Sequence, residues 1–313
     1  MAKYLLKRLA RSILTIFVIV SVVFILMRQL PVDGFLPNID KMTQEQIKNA
    51  LALHGLDKPV SVQLLNFWKD VFTKGTLGTS YVYRNNVPVL EVLKDKIPLS
   101  VKIGSMAIVL GLLLGIPLGT WMAQHKDHFP DHLGTVFIVF IQAVPSAVYY
   151  LFIQLYGTEL LGLSLLFKQN DWRTWILPVF SMSLPNVIYY AMWIRRYMVD
   201  ESNKDYVQLA KIKGLSSRQI LYRHVFRNAF VPLIQYLPSS FLNTVVGSIY
   251  LESLYAVPGM GGLLVDVVKK QDNNMVQAIV MLFGTVGVIG LILGDILMVT
   301  LDPRISLTRG GKK

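Results

Sequence analysis

Six apolar runs, each near the roughly 20 residues that cross a hydrocarbon core, govern what this chain can fold into. They cover residues 9–30, 99–122, 133–156, 175–194, 230–251 and 275–301. A chain of 313 residues that is 53% hydrophobic, with a mean hydropathy of +0.48, is too apolar for a soluble domain of that size. The expected fold is all-α and membrane-embedded, with six transmembrane helices. The chain holds no cysteine, so neither a disulfide framework nor a thiolate metal site is available. The first run raises an alternative, because a basic start (Lys3, Lys7, Arg8, Arg11) before a short apolar stretch also describes a signal peptide. No small-x-small cleavage site follows and the run is long enough to span, which favours a retained first helix.

Charge sets the orientation. The net charge of +12 would suit nucleic acid, but the basic residues flank apolar runs, so no nucleic acid is expected. The loop between runs four and five carries eight basic residues from Arg195 to Arg227, and the N-terminus and the tail carry four each. The short loops on the opposite side hold only Lys168 and Arg173, then Lys269 and Lys270. Both termini are therefore expected in the cytoplasm. Residues 31–97 contain eight basic and seven acidic residues and no spanning run, which reads as a small extracytoplasmic lobe. Within it, Leu65, Trp68, Lys69 and Phe72 recur at helical spacing. The division is 1–30 for the N-terminal tail and first span, 31–97 for the lobe, 98–301 for a five-helix core with a cytoplasmic loop at 196–230, and 302–313 for a cytoplasmic tail.

The runs are not uniformly apolar. Pro117, Pro145, Pro178, Pro185 and Pro238 interrupt backbone hydrogen bonding, which a bilayer tolerates only against protein or a wet cavity. Polar side chains gather near these breaks: Gln142, Ser146, Asn186, Gln235, Ser239 and Asn243 are candidates for a polar pathway, against the alternative of interhelical hydrogen bonds. Asp295 is the one carboxylate deep in a run, where pairing is a better reading than a proton relay. Glu252, at the outer end of run five, is expected to meet a partner protein or water. Residues 125–132 cluster three histidines and two aspartates. A metal site is conceivable there, but a solvated turn accounts for the cluster at least as well, and no metal ligand is assigned.

Residues 200–232 are the best-specified polar stretch. Two short helices joined at Gly214 are expected. Asp205 with Gln208 and Ser216 with Gln219 each match a capping box. Gly214 ends the first helix, and Arg223 and Arg227 share one face of the second. Such specification implies that something docks there; the alternative is an ordinary basic loop.

The run Asp205-Tyr206-Val207, Ala210, Lys213-Gly214, followed by Arg227-Asn228-Ala229 and Pro232, resembles the EAA loop of bacterial ABC-importer permeases. The likeness is to the first permease of dipeptide and oligopeptide importers. Gln208 and Leu209 stand where the general signature has glutamate and alanine, a relaxation that favours the peptide branch. Residues 53–59, 75–80 and 252–261 and the terminal Asp302-Pro303-Arg304-Ile305 are similar to segments of the same family. The resemblance implies the type I importer fold in the bacterial inner membrane. It also implies that Asp205, Tyr206, Val207, Ala210, Lys213, Gly214, Ser216, Arg223 and Arg227 belong to a loop that docks on ATPases. A second homologous permease, two ATPase subunits that bind ATP and Mg, and an extracytoplasmic peptide-binding protein are the implied partners, with membrane lipid around them. Nickel, glutathione or another small solute is the alternative cargo.

No Gly-x-x-x-x-Gly-Lys-Ser/Thr occurs, nor a Gly-x-Ser-x-Gly or His-Glu-x-x-His, so no enzyme activity and no cofactor are expected in this chain. An ion-driven transporter would call for inverted repeats and midplane charges, of which only Asp295 is visible. A pure membrane anchor would leave the polar residues in the runs unexplained.

Overall fold

The computed structural model describes residues 2–30, 41–245 and 249–301. The terminal Asp-Pro-Arg-Ile motif lies outside these residues. Five helices are long and apolar enough to cross a membrane, and a bent pair makes up to six.

The first, α1 (Ala2–Met27), runs antiparallel to the last, α13 (Asn273–Leu301). Arg8 pairs with Asp295 near one end, and Val20 and Phe24 close on Met281 further along. Asp295 is thus a pairing residue, and its oxygen also accepts from Gln235 Nε2 at 3.4 Å.

Two helices follow, α2 (Gln44–Leu53) and α3 (Val60–Lys74). Thr43 and Gln46 close a capping box on α2. The lobe does not stand apart from the spans. Trp68 of α3 stacks on Phe17 at 4.6 Å and donates its indole N–H to Ser21 Oγ at 3.0 Å, while Phe67 meets Phe24. Phe17 sits midway along the apolar part of α1, so α3 lies alongside the C-terminal half of that span.

A two-stranded hairpin, β1 (Thr79–Ser80) and β2 (Val87–Pro88), leads straight into α4 (Val89–Gln124). This helix begins at Val89 rather than Leu99. The charges Glu91, Lys94, Asp95 and Lys96 hid its first turns from a hydropathy reading, but Val89, Val92 and Leu93 are buried against other helices. Pro98 sits inside α4, where the carbonyl it leaves unpaired is near the helix end.

The third expected span is two helices. Helix α5 (Phe129–Ala143) stops at Val144-Pro145, and α6 (Ser146–Leu161) leaves at 104°. Gln154 holds α6 in that direction by donating to the Leu165 and Leu254 carbonyls, and Gly157 abuts Leu177. After a short 3-10 turn (Trp172–Trp175), α7 (Ile176–Ser202) runs on past the expected end at residue 194.

Helices α4 and α7 pack along most of their length. Gly111, Gly115 and Gly119, one turn apart, let the backbones touch: a Cβ at Gly115 would stand 2.6 Å from the Val187 carbonyl oxygen. The loop helices α8 (Asp205–Ile212) and α9 (Ser217–Ile220) come next. Contrary to expectation α9 is not separate: a π-helical stretch (Leu221–Phe226) carries it into α10 (Arg227–Val245). Helices α11 (Ile249–Leu254) and α12 (Met260–Lys269) precede α13.

Glu252 corrects another expectation. It is 1% exposed rather than at the water, and its carboxylate accepts from Ser100 Oγ (2.9 Å) and from the Gly261 and Gly262 N–H groups (2.7 and 3.1 Å). Asp272 is fully buried at the other end of α12. It accepts from Ser80 Oγ (2.6 Å), from the Val82 and Tyr83 N–H groups, and from Met275 N at the start of α13.

Candidate functional site

The polar loop between α7 and α10 is built by local rules. The chain turns at Asn203–Lys204, and Lys204, in an extended conformation, is the N-cap of α8 without a side-chain bond. Asp205 is therefore not the cap and forms no box with Gln208. One position too far in, its carboxylate instead lies in the first turn, where it meets the positive end of the helix dipole.

The C-terminal end follows the Schellman pattern. Gly214 takes φ +76°, its N–H reaches the Lys211 carbonyl at 3.0 Å, and the Leu215 N–H reaches the Ala210 carbonyl at 3.2 Å. Ser216 closes its box with Gln219 through bonds of 3.3 and 3.0 Å.

Helix α8 has two apolar faces. Val207 and Ala210 are buried in a cluster with Met198 of α7, Ile220 of α9, and Val225 and Ala229 beyond it. Leu209 and Ile212 point away, 53% and 83% exposed. These two complete a protruding apolar tip beside Lys213 and Gly214. Sequence reading missed them, although the signal was present: two apolar residues three apart, off the face that Val207 and Ala210 bury.

Tyr206 hydroxyl donates to the Glu201 carboxylate on α7 and accepts from Asn228 Nδ2 on α10 at 3.0 Å. Burial, then the bond to Glu201, raises its pKa above the usual phenol value. Arg223 and Arg227 line one groove with Tyr222, Phe226 and Phe230, the wider π turn notwithstanding. Behind α8 and α9 lies a cavity of about 710 Å³ bounded by Gln124, Met198, Lys211 and Arg218.

Five of the six candidate pathway residues divide among three places, and the sixth is exposed. Asn186 accepts from Ser240 Oγ at 2.9 Å, joining α7 to α10. Gln235 turns toward α13 and bonds Asp295, and the Ser239 backbone lies close to Gly290, where a Cβ would stand 3.1 Å from the Ser239 Cα. Gln142, at the end of α5, approaches Met192 Sδ of α7 at 3.8 Å, and Ser146 opens α6. Asn243 is exposed. In the link at 125–132, Asp131 gives both carboxylate oxygens to Arg195, at 2.5 and 2.6 Å, and the His125 and His128 rings lie on backbone carbonyls.

Comparison with known proteins gives this arrangement a family. Residues 115–307 match the family described as binding-protein-dependent transport system inner membrane component, and residues 1–104 match its N-terminal counterpart. The chain belongs to that family. Among curated relatives of this permease, the dipeptide transport system permease protein DppB of Lactococcus lactis is 31% identical over 98% of this chain and 100% of its own. The oligopeptide transport system permease protein OppB of Haemophilus influenzae is 29% identical over 97% and 99%. The oligopeptide transport system permease protein AmiC of Streptococcus pneumoniae is 37% identical over 67% of this chain, a match that spans 43% of AmiC. The permease is thus a multi-pass inner-membrane component of an ABC importer rather than a catalytic enzyme. Its family works with ATPase and binding-protein partners.

Proposed function

We propose that the permease carries short peptides from an extracytoplasmic binding protein into the cytoplasm. The observation that supports this most is its end-to-end match to a dipeptide permease. In this reading it pairs with a second, homologous permease, and the two enclose the path. Two ATPase subunits, holding ATP and Mg, sit on the loop at 196–230, and this chain needs no cofactor of its own. Both termini and that loop face the cytoplasm, and residues 41–88 lie on the far side.

Mechanism follows from the loop's shape. The apolar tip of Leu209 and Ile212 gives an ATPase groove something to grip, and its neighbours Lys213 and Gly214 fix its direction. Closure of two ATPases on ATP would displace α8. Because Val207 and Ala210 are packed against Met198, Val225 and Ala229, that displacement reaches the inner ends of α7 and α10. The polar contacts between those helices, such as Asn186 with Ser240, are then the ones that re-form as the path opens.

Deleting the chain should abolish uptake of radiolabelled di- and trialanine by cells, and restoring it should return that uptake. Intact peptide uptake with lost nickel uptake would replace peptide by metal as the cargo.

A further inference from the structure

Loop helix α8 touches the spans in two ways. One is the apolar packing of Val207 and Ala210, which is non-directional and lets a helix slide. The other is a single hydroxyl. Among the described residues Tyr206 is the one α8 side chain hydrogen-bonded to α7 or α10, and it is bonded to both.

Its partners lie at the span ends. Glu201 is in the last turn of α7, and Asn228 is the second residue of α10. The hydroxyl also lies 3.5 Å from the His224 carbonyl oxygen, in the π-helical stretch. Its one hydrogen goes to a carboxylate and its lone pair takes an amide hydrogen, so each bond holds α8 at a fixed angle to one helix.

We infer that Tyr206 is a positioning residue, a strut through which movement of α8 turns α7 and α10 together. Without the hydroxyl, α8 would keep its place through Val207 and Ala210. It would then slip over that apolar seat when pulled, moving without carrying the two spans along. The inference rests on the reading that this loop docks on ATPases.

The test uses the whole complex, with both permeases and both ATPases, in proteoliposomes supplied with binding protein and radiolabelled dialanine. Tyr206→Phe removes only the hydroxyl. It should leave the ATPases bound, because the hydroxyl faces α7 and α10 rather than the exposed tip. The peptide moved per ATP should fall about tenfold, in line with loss of a hydrogen bond to a charged group, and stimulation of hydrolysis by the binding protein should fall with it. Glu201→Gln keeps an acceptor for the hydroxyl and should retain most coupling, whereas Glu201→Leu should behave as Tyr206→Phe does.

Unchanged coupling in Tyr206→Phe would overturn the strut, and so would loss of the ATPases from that variant, since the hydroxyl would then serve docking or folding. Ile212→Glu on the exposed tip tests the underlying reading separately: it should release the ATPases, and their retention would sink the docking reading, with the strut as its dependent.

Discussion

The two ends of the bundle are held by different physics. At the end that carries α12, Asp272 and Glu252 are buried and gather seven donors between them, from the hairpin, α4, α12 and α13. Most of those donors are backbone N–H groups, which have no rotamer to change. At the end that carries α8, the loop is held by one hydroxyl, two buried small apolar residues and its own caps, with Leu209 and Ile212 left outside. A carboxylate with several buried donors has one favourable arrangement, and an apolar seat has several of similar energy. One end of the permease is thus held in one arrangement and the other is seated less firmly.

Each of four substitutions tests that contrast. Asp272→Ala should have the largest effect, because it leaves Ser80 Oγ and three backbone N–H groups without their acceptor. Each unsatisfied buried group costs about 1–3 kcal/mol, so the hairpin should detach from α13 and little protein should accumulate in the membrane. A complex of normal yield and thermal midpoint would break the comparison.

Gly214→Val comes next. A Cβ there would meet nothing within 4 Å, so the penalty is backbone strain at φ +76°, more than about 1 kcal/mol for a branched residue. The spans should insert normally while peptide transport falls at least several-fold, as measured in proteoliposomes. Normal transport would show that the angle between α8 and α9 does not matter.

Ser216→Ala removes one capping box, worth about 1 kcal/mol, and should lower transport modestly without changing subunit composition on gel filtration. Asp205→Ala should be the mildest. It is not a cap, so only its interaction with the helix dipole is lost, about 0.3–1 kcal/mol. An Asp205 effect larger than that of Ser216 would show that the carboxylate has a second contact, on a partner subunit.

Much of this contrast was hidden from the sequence. The α8 loop was the more legible end because it is local: Gly214 and the Ser216–Gln219 box act within a few residues of themselves. Asp205 misled because a capping pattern read one residue off still looks complete, and only the extended backbone of Lys204 shows which residue is outside the helix. The carboxylate clamps at the α12 end were illegible for the opposite reason. Asp272 and Ser80 lie 192 positions apart, and nothing near Glu252 in the chain says that Ser100 waits for it. Pro145 announced a break in the third apolar run, but nothing beside it announced the 104° angle or the bonds of Gln154 to the Leu165 and Leu254 carbonyls. The glycines of α4 were a fair sign of close helix contact, and the identity of the partner, α7, was not. The six polar pathway candidates were chosen by polarity and nearness to the proline breaks, which do not distinguish a residue facing a path from one, like Gln235, facing a neighbouring carboxylate.

The pairing of Arg8 with Asp295 has a consequence in time. Arg8 is made long before Asp295, so α1 is in the membrane well before its carboxylate partner on α13 arrives. During synthesis every intermediate of the chain therefore holds α1 without the neighbour it will finally keep, and α13 carries a charge that hydrocarbon disfavours until α1 is beside it. Helices α1 and α13 complete each other only once α13 has been inserted.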